Sequence, residues 1–137
     1  MATGRSFAEY VKSKCYSGLY KAAEDYVERE WESLPIYTKK VYKIGEIDLV
    51  DATIQRVYVE DLPGMRVKFD VGLELELEVK EHDYHYDESD QCFPWIRITC
   101  EGDLGCGLDD WEIKRIIPYN SQNAPMNSMS DALVPYI

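Results

Sequence analysis

The sequence predicts an α+β protein in which one long N-terminal helix packs on a curved, antiparallel sheet of about four strands. Three patterns support this fold class. Apolar residues recur every three or four positions near the N-terminus, as on one face of an amphipathic helix. Apolar and charged residues alternate strictly over residues 65–79, which is typical of a strand with one buried face. A Pro-Gly pair before that segment predicts a tight turn, and therefore a hairpin.

The N-terminal pattern predicts one helix over roughly residues 7–33. Ser6 and Glu9 have the spacing of a capping box, in which each side chain satisfies a backbone amide of the first turn. Gly18 weakens this helix by about 1 kcal/mol relative to alanine. Pro35 ends it, because the residue before a proline avoids the α region. The apolar stripe comprises Phe7, Val11, Cys15, Leu19, Ala22, Ala23, Tyr26, Val27, Trp31 and Leu34.

The alternating segment, residues 65–79, is the predicted central strand. Its odd positions are apolar from Met65 to Val79, and its even positions are charged residues or glycine. At about 3.3 Å per residue it would span roughly 50 Å, and a strand of that length must twist and bend. We expect Gly72 to be the hinge or bulge.

Residues 47–60 predict a second long strand, joined to the central one by the turn at 61–64. Apolar residues change parity between Ile54 and Val57, and such a slip moves side chains to the opposite face. A bulge at 55–56 would restore the pattern. The hairpin formed by these two strands is the most secure tertiary prediction.

Strands predicted at 93–101 and 108–117 complete the sheet, with a glycine-rich turn between them. The segment that follows is polar, low in charge and broken by proline, as linkers are. We therefore predict a single α+β domain over residues 1–118. Residues 119–137 are predicted to be a linker or tail toward a missing downstream region.

Charge is distributed unevenly along the chain, whose formal net charge is −11. Residues 1–43 hold eight Lys and Arg against six Asp and Glu, whereas the remainder holds seven against twenty. Nucleic acid is an unsuitable partner for the acidic part, because phosphate binding needs clustered basic residues. A basic partner surface or a cation is electrostatically possible, and solubility alone is the simpler explanation.

The sequence also predicts the compartment. No apolar run approaches the roughly 18 residues of a membrane span, and the N-terminus has no apolar signal segment. We expect a cytoplasmic protein without a membrane partner, whose four cysteines are reduced thiols. The absence of a C-x-x-C pair argues against a zinc ribbon or a thioredoxin-type site.

An acidic loop at 81–91 holds both histidines of the chain. Imidazole and carboxylate groups are common metal ligands, so His82, His85 and Asp87 are candidate ligands. Structural zinc sites usually show two ligand pairs, and here there is a single histidine pair. A solvated hairpin connection explains the same residues.

Aromatic and acidic residues gather around this loop and the last strands. Exposed aromatic side chains beside carboxylates form plausible protein-binding patches, while cross-strand aromatic packing is the structural alternative. The candidate partner-binding residues are Tyr84, Tyr86, Trp95, Asp109, Asp110 and Trp111.

No residue pattern predicts catalysis or a cofactor. The chain lacks Gly-x-Ser-x-Gly, a P-loop and His-Glu-x-x-His. Cys92 and Cys106 lie among carboxylates, which disfavour a thiolate, and Cys15 and Cys100 fall on apolar faces. The glycines at 102–107 fit a turn better than a phosphate cradle, because three aspartates surround them.

Four stretches carry a family resemblance over residues 6–118: SFAEYVKSKCY, VYVEDLPGM, HDYHYD and CFPWIRITCEGDLGCGLDDWEI. With them the chain resembles the N-terminal accessory region of bacterial zinc metallopeptidases of the ImmA/IrrE type. The tail NAPMNSMSDALVPYI is similar to the join where that region meets the peptidase part. The arrangement of helix and sheet is also similar, by analogy, to cystatin-like folds.

This resemblance implies a non-catalytic interaction or regulatory domain of a larger intracellular bacterial protein. The partner would be another protein or the downstream domain of the same polypeptide. The family's His-Glu-x-x-His helix is absent, so the resemblance assigns no catalytic residue here.

Two other functions stay open at this point. One is a small-ligand-binding module with a pocket between helix and sheet, lined by Tyr26, Trp31, Phe69 and Trp95. The other is a metal-binding protein that uses the loop at 82–92.

Overall fold

The computed structural model describes residues 5–36, 41, 44–81, 89–119 and 133–134. Strands account for 57% of the structure, and the main sheet has five antiparallel strands. The predicted fold class, α+β with one long helix on about four strands, is therefore wrong. The molecule is mostly β.

The N-terminal apolar stripe covers two helices, α1 (Phe7–Lys14) and α2 (Tyr16–Glu30), and its last residues lie in and after a 3-10 turn at Trp31–Ser33. The break lies at Cys15, yet the Cys15 amide still donates to the Val11 carbonyl at 2.7 Å and the Cys15 carbonyl accepts from the Leu19 amide at 2.9 Å. Because Cys15 is apolar and fully buried, the periodicity continues through the break. Spacing of apolar residues therefore could not reveal two helices.

Backbone pairing defines seven strands within the described ranges. They are β1 (Arg5–Ser6), β2 (Ile44–Asp61), β3 (Arg66–Glu81), β4 (Ser89–Cys92), β5 (Trp95–Asp103), β6 (Trp111–Tyr119) and β7 (Leu133–Val134). The main sheet has the order β2-β3-β5-β6, and β4 also pairs with β3. Strand β4 was missed because a run of four residues, three of them polar, is too short to show alternation.

The predicted hairpin is confirmed, since β2 and β3 pair antiparallel along nearly their whole length. The turn between them holds Gly64 and Met65 at positive φ, 75° and 64°. The predicted bulge is also confirmed, because the register shifts between Ile54 and Arg56. Gly72 of β3 pairs with Arg56 at that shift, so the irregularity lies in β2 while β3 stays regular.

The alternation in β3 gives the sheet two different faces. Odd positions from Val67 to Val79 are buried, whereas Met65, in the turn, is 52% exposed. Those from Val67 to Leu77 form one core with residues of both helices, whereas Val79 packs in a smaller cluster with Val41 and Cys92. Phe7 of α1 meets Phe69 edge to face at 5.4 Å between ring centroids. The Tyr16 hydroxyl donates to the Ala52 carbonyl at 2.6 Å.

The N-terminal strand β1 pairs antiparallel with β7, with Arg5 opposite Val134. Two residues of the predicted tail thus contact the start of the chain. Strand β6 includes Pro118 and ends at Tyr119, whereas the sequence predicted a strand that ends at residue 117. The position suits proline because β6 pairs on one side with β5 and lies at the sheet edge. None of the helices in the described ranges has the length and apolar character to cross a membrane.

Candidate functional site

The strands of the main sheet present two faces, and the helices cover one of them. We call the face packed against α1 and α2 the helix side, and the opposite face, which carries the even positions of β3, the outer face. The pairing register aligns Asp70 with Tyr58 of β2 and Thr99 of β5, and Glu74 with Trp95. The outer face therefore brings together side chains from distant parts of the chain.

A buried ion pair lies at the centre of the outer face. Arg97 Nη2 donates to Asp70 Oδ2 at 2.6 Å, and the Thr99 hydroxyl donates to Asp70 Oδ1 at 2.6 Å. The Asp70 side chain is only 8% exposed and that of Arg97 is 29% exposed. Charge-assisted bonds of this length fix the carboxylate in place. Arg97 Nε is buried and has no hydrogen-bond partner.

Trp95 lies beside this ion pair and is held from three directions. Its indole Nε1 donates to Glu74 Oε2 at 3.2 Å. The Arg56 guanidinium carbon is 5.7 Å from the ring centroid, within cation–π range. The Tyr119 ring centroid lies 6.0 Å from that of Trp95. We call Arg56, Asp70, Trp95, Arg97, Thr99 and Tyr119 the outer-face cluster.

The outer face also concentrates positive charge in its middle. Arg56, Arg97 and Arg115 lie on adjacent register rows of β2, β5 and β6. Neither Arg56 nor Arg115 forms an ion pair with the residues that the structure describes. Asp70 and Glu74 lie among these three arginines, so the centre of the outer face is nearly balanced in charge although the whole chain carries −11.

The two predicted tryptophans lie on opposite faces. Trp95 belongs to the outer-face cluster, whereas Trp111 lies on the helix side, with its ring centroid 6.4 Å from that of Phe69. A Cβ atom built on Gly18 would come within 2.7 Å of Trp111 Cζ2. Trp111 is thus a packing residue that rests against α2, and the structure does not combine it with Trp95 in one patch.

The two predicted aspartates lie in the connection between β5 and β6. Asp109 Oδ1 is 3.4 Å from Lys14 Nζ at the end of α1, and both side chains are largely exposed. The backbone carbonyl of Asp110 accepts from the Asp103 amide at 3.0 Å. These contacts position a loop, and neither aspartate reaches the outer-face cluster.

The remaining predicted site residues lie outside the described part of the chain. They are the candidate metal ligands His82, His85 and Asp87 and the candidate partner-binding residues Tyr84 and Tyr86. Among the residues that are described, no three His, Cys, Asp or Glu side chains form a group that could hold a metal ion.

The described thiols differ in accessibility. Burial raises the pKa of Cys15 to about 12, although nearby Lys14 opposes the shift. Burial, with the neighbouring Cys15 and Asp70, raises the pKa of Cys100 further. Neither thiol is ionised near neutral pH, so neither is an activated nucleophile. Cys106 is exposed, in the turn after β5.

The predicted ligand pocket is not formed by its four proposed residues. Phe69 is fully buried against Phe7, and Trp95 lies on the other face of the sheet. Tyr26 packs into the core from α2 and shares a hydrogen bond of 3.1 Å with Ser33. These side chains cannot line one cavity.

Most of the outer-face cluster was missed from the sequence. Asp70 is one of several charged residues at even positions of β3, and no local pattern distinguishes it from Glu74 or Glu76. Its burial depends on Arg97 and Thr99, which lie opposite or diagonal to it on β5. Only the register of β3 against β5 would have revealed this group.

No protein-family model, no curated protein and no solved structure matches this chain. The outer-face cluster is therefore the basis on which its function is proposed.

Proposed function

We propose that this chain is a non-catalytic interaction domain of a larger intracellular bacterial protein, and that its outer face binds a protein partner. The partner is either another protein or the downstream domain of the same polypeptide. The observation that carries this proposal is the outer-face cluster, in which Trp95 and two arginines lie preorganised on a face that α1 and α2 do not cover.

The composition of the cluster fits a binding centre. Tryptophan, tyrosine and arginine supply most of the residues that dominate binding energy at protein interfaces. Trp95 lies with Arg56 and Tyr119, and Arg97 adds a second guanidinium. A surface that served solubility alone would not need an aromatic ring held by a glutamate and an arginine.

The rigidity of the cluster favours binding as well. Glu74 and Arg56 restrain the Trp95 ring, and Asp70 restrains Arg97. Side chains that are already ordered lose less conformational entropy when a partner binds, which leaves more of the contact energy as affinity. The unpartnered Nε of Arg97 is a donor that a small movement of the guanidinium could offer to a partner.

The resemblance to the accessory region of ImmA/IrrE-type metallopeptidases supports the same role. Such a region would act in the cytoplasm beside a peptidase part that carries the His-Glu-x-x-His motif.

The test begins with the reading frame that encodes this chain. The segment encoded after Ile137 is produced separately and titrated with the domain by isothermal calorimetry. We expect binding that Trp95→Ala weakens by at least about tenfold, as is typical of a hot-spot residue. Tyr20→Ala is the matched control, because Tyr20 is an aromatic residue on α2, away from the outer face.

Two results would contradict the proposal. A reading frame that stops at Ile137 would remove the accessory-domain role. Equal affinity of Trp95→Ala and the unaltered domain, with both folded by circular dichroism, would show that the outer face is not the binding surface.

A further inference from the structure

An exposed aromatic residue lies at the end of the outer face that β4 borders. Phe93 connects β4 to β5, and 53% of its surface is exposed to water. It is the aromatic one among the three large apolar side chains that are exposed in the described ranges. A single exposed apolar residue needs no explanation, so the meaning of Phe93 depends on its neighbours.

The pairing register places Phe93 on the same face as Trp95. Strands β4 and β5 pair with β3 in one continuous register. Between them, the Pro94 carbonyl accepts from the Leu75 amide at 2.8 Å, so Phe93 lies opposite Glu76. Pro94 is buried, and successive side chains along a strand point to opposite faces. Phe93 therefore points to the outer face.

Three carboxylates follow one another along β3 beside this ring. They belong to Glu74, Glu76 and Glu78, which occupy successive outer-face positions roughly 7 Å apart. Glu74 accepts a hydrogen bond from the neutral Trp95 indole. Glu76 forms no ion pair with any residue that the structure describes. The carboxylate opposite Phe93 is thus available to a cation from outside the domain.

Lys80 shows how negative this end of the outer face is. Its ammonium group lies 3.8 Å from Glu46, 3.4 Å from Asp48 and 3.9 Å from Glu78. Glu46 above all, with Asp48 and Glu78, raises the pKa of Lys80. One ammonium group cannot neutralise three carboxylates, so net negative charge remains at this end, whereas the centre of the outer face is nearly balanced.

The spacing of the β3 carboxylates disfavours a single metal ion as the occupant. The oxygen ligands of a metal converge on one point at about 2.0–2.6 Å, whereas alternate side chains of a strand stay roughly 7 Å apart. Among the residues that the structure describes, no group of three His, Cys, Asp or Glu could hold a metal. Several positive charges spread along one partner segment match this row of carboxylates better.

We propose that Phe93, Glu74, Glu76 and Glu78, here called the Phe93 surface, bind an arginine-bearing basic segment of the protein partner. This inference rests on the proposed function and names the chemistry of the partner. A guanidinium group of the segment packs on the Phe93 ring and pairs with the Glu76 carboxylate, because arginine combines aromatic stacking with bidentate carboxylate pairing. Other basic residues of the segment face Glu74 and Glu78.

A capped peptide of three Arg-Ser repeats is the probe, titrated into ¹⁵N-labelled protein and followed by two-dimensional NMR. A concentration of 0.1 M salt screens charges more than about 10 Å apart. We expect the amide signals of Phe93 and Glu76 and the indole signal of Trp95 to shift. The same peptide with lysine should bind more weakly, since an ammonium group cannot pair in the bidentate way. With glutamate in place of arginine it should cause no shift.

A double variant measures the contribution of the surface. Phe93→Ala with Glu76→Gln should weaken binding of the arginine peptide by about tenfold, because it removes a cation–π contact and an ion pair together. Met65→Ala with Glu28→Gln is the matched control. Met65 is 52% exposed in the turn after β2, and Glu28 is exposed on α2. This control removes the same charge away from the outer face, so affinity should change by less than about twofold.

Two results of the peptide titration would overturn the proposal. One is the absence of shifts at Phe93 and Glu76 at millimolar peptide. The other is equal weakening by both double variants, which would show attraction by net charge alone. Circular dichroism should show both variants folded, since the replaced side chains are at least partly exposed.

Titration of the downstream segment separates this inference from the proposed function. If Trp95→Ala weakens binding of that segment and the Phe93→Ala, Glu76→Gln variant does not, this inference is wrong and the proposed function stands. If Trp95→Ala has no effect while peptide binding requires Phe93 and Glu76, the outer-face cluster is rejected as the binding centre and the Phe93 surface is supported.

Discussion

The helix side and the outer face belong to the same strands but are stabilised differently. On the helix side, the odd positions of β3 from Val67 to Leu77 are apolar and buried against the two helices and neighbouring strands. On the outer face, most even positions stay in partial contact with water, and Asp70 is the buried charged residue among them, next to the buried Gly72. The helix side is stabilised by apolar packing, whereas the stability of the outer face depends on the ion pair and hydrogen bond that satisfy the buried Asp70 carboxylate.

This difference shows what alternation in a sequence can and cannot convey. Alternation identifies the face that will be packed, because every apolar residue must leave water. It treats all charged positions on the other face alike. The structure distinguishes Asp70, which Arg97 and Thr99 enclose, from Glu76, which has no such partners on β5.

The largest expected effect is on the helix side. Leu75→Asp should unfold the protein, because an unpaired buried carboxylate costs several kcal/mol against a total stability of about 5–15 kcal/mol. Leu75 is fully buried. Circular dichroism at 25 °C and urea denaturation would measure the loss. A folded Leu75→Asp variant with an unchanged midpoint would show that the faces are assigned wrongly.

The buried ion pair of the outer face should give the next largest effect. Arg97→Gln leaves Asp70 with only its hydrogen bond to Thr99. We expect the free energy of unfolding to fall by about 2 kcal/mol, which is less than for a fully buried ion pair because the Arg97 side chain is partly exposed. Asp70→Asn combined with Arg97→Gln should recover part of this loss, since no charge is then left unpaired. A double-mutant cycle, with stabilities from urea denaturation, measures the coupling energy between Asp70 and Arg97. Additive effects of the two substitutions would show that the two side chains do not stabilise each other.

A glycine on the helix side should give a smaller effect. Gly18→Ala improves helix propensity by about 1 kcal/mol, but the new Cβ would meet Trp111 Cζ2 at 2.7 Å. Overpacking costs about 1–3 kcal/mol, so we expect a net destabilisation of about 1 kcal/mol by thermal unfolding. In a Trp111→Leu background the same substitution should be neutral or stabilising. If Gly18→Ala stabilised the protein while Trp111 is present, the close approach of Gly18 to the Trp111 ring would be wrong.

The smallest effect is expected at a partly exposed position of the outer face. Glu76→Ala should change the free energy of unfolding by less than about 0.5 kcal/mol, as surface substitutions usually do. Glu76 is the direct neighbour of Leu75 and points to the opposite face, so it is the matched control for Leu75→Asp. If urea denaturation showed similar losses in the free energy of unfolding for Leu75→Asp and Glu76→Ala, the assignment of these two residues to different faces would be wrong.

The sequence predicted the β2–β3 hairpin, its bulge and the buried face of β3 without coordinates. These features are local, since they depend on alternation within one strand and on a turn of a few residues. The fold class was predicted wrongly because Cys15 preserves the apolar stripe across a helix break and because β4 is too short to show a pattern.

The candidate site was predictable only in part. Trp95 was proposed as a partner-binding residue from its neighbours in sequence and stays a proposal, whereas Trp111, grouped with it for the same reason, lies on the other side of the sheet. Gly18 was interpreted as a weakness of the helix, whereas in the structure it gives the Trp111 ring room. Such contacts depend on elements far apart in the chain.

By itself the sequence determined where the chain buries its strands, because the removal of apolar side chains from water is a property of each residue and its spacing. The tertiary structure alone decided which polar residues matter. Strand register placed Arg97 and Thr99 against Asp70, and the packing of α2 on the sheet placed Gly18 against Trp111. Charges and hydrogen bonds act between particular atoms at short range, so their partners are fixed only when distant segments meet.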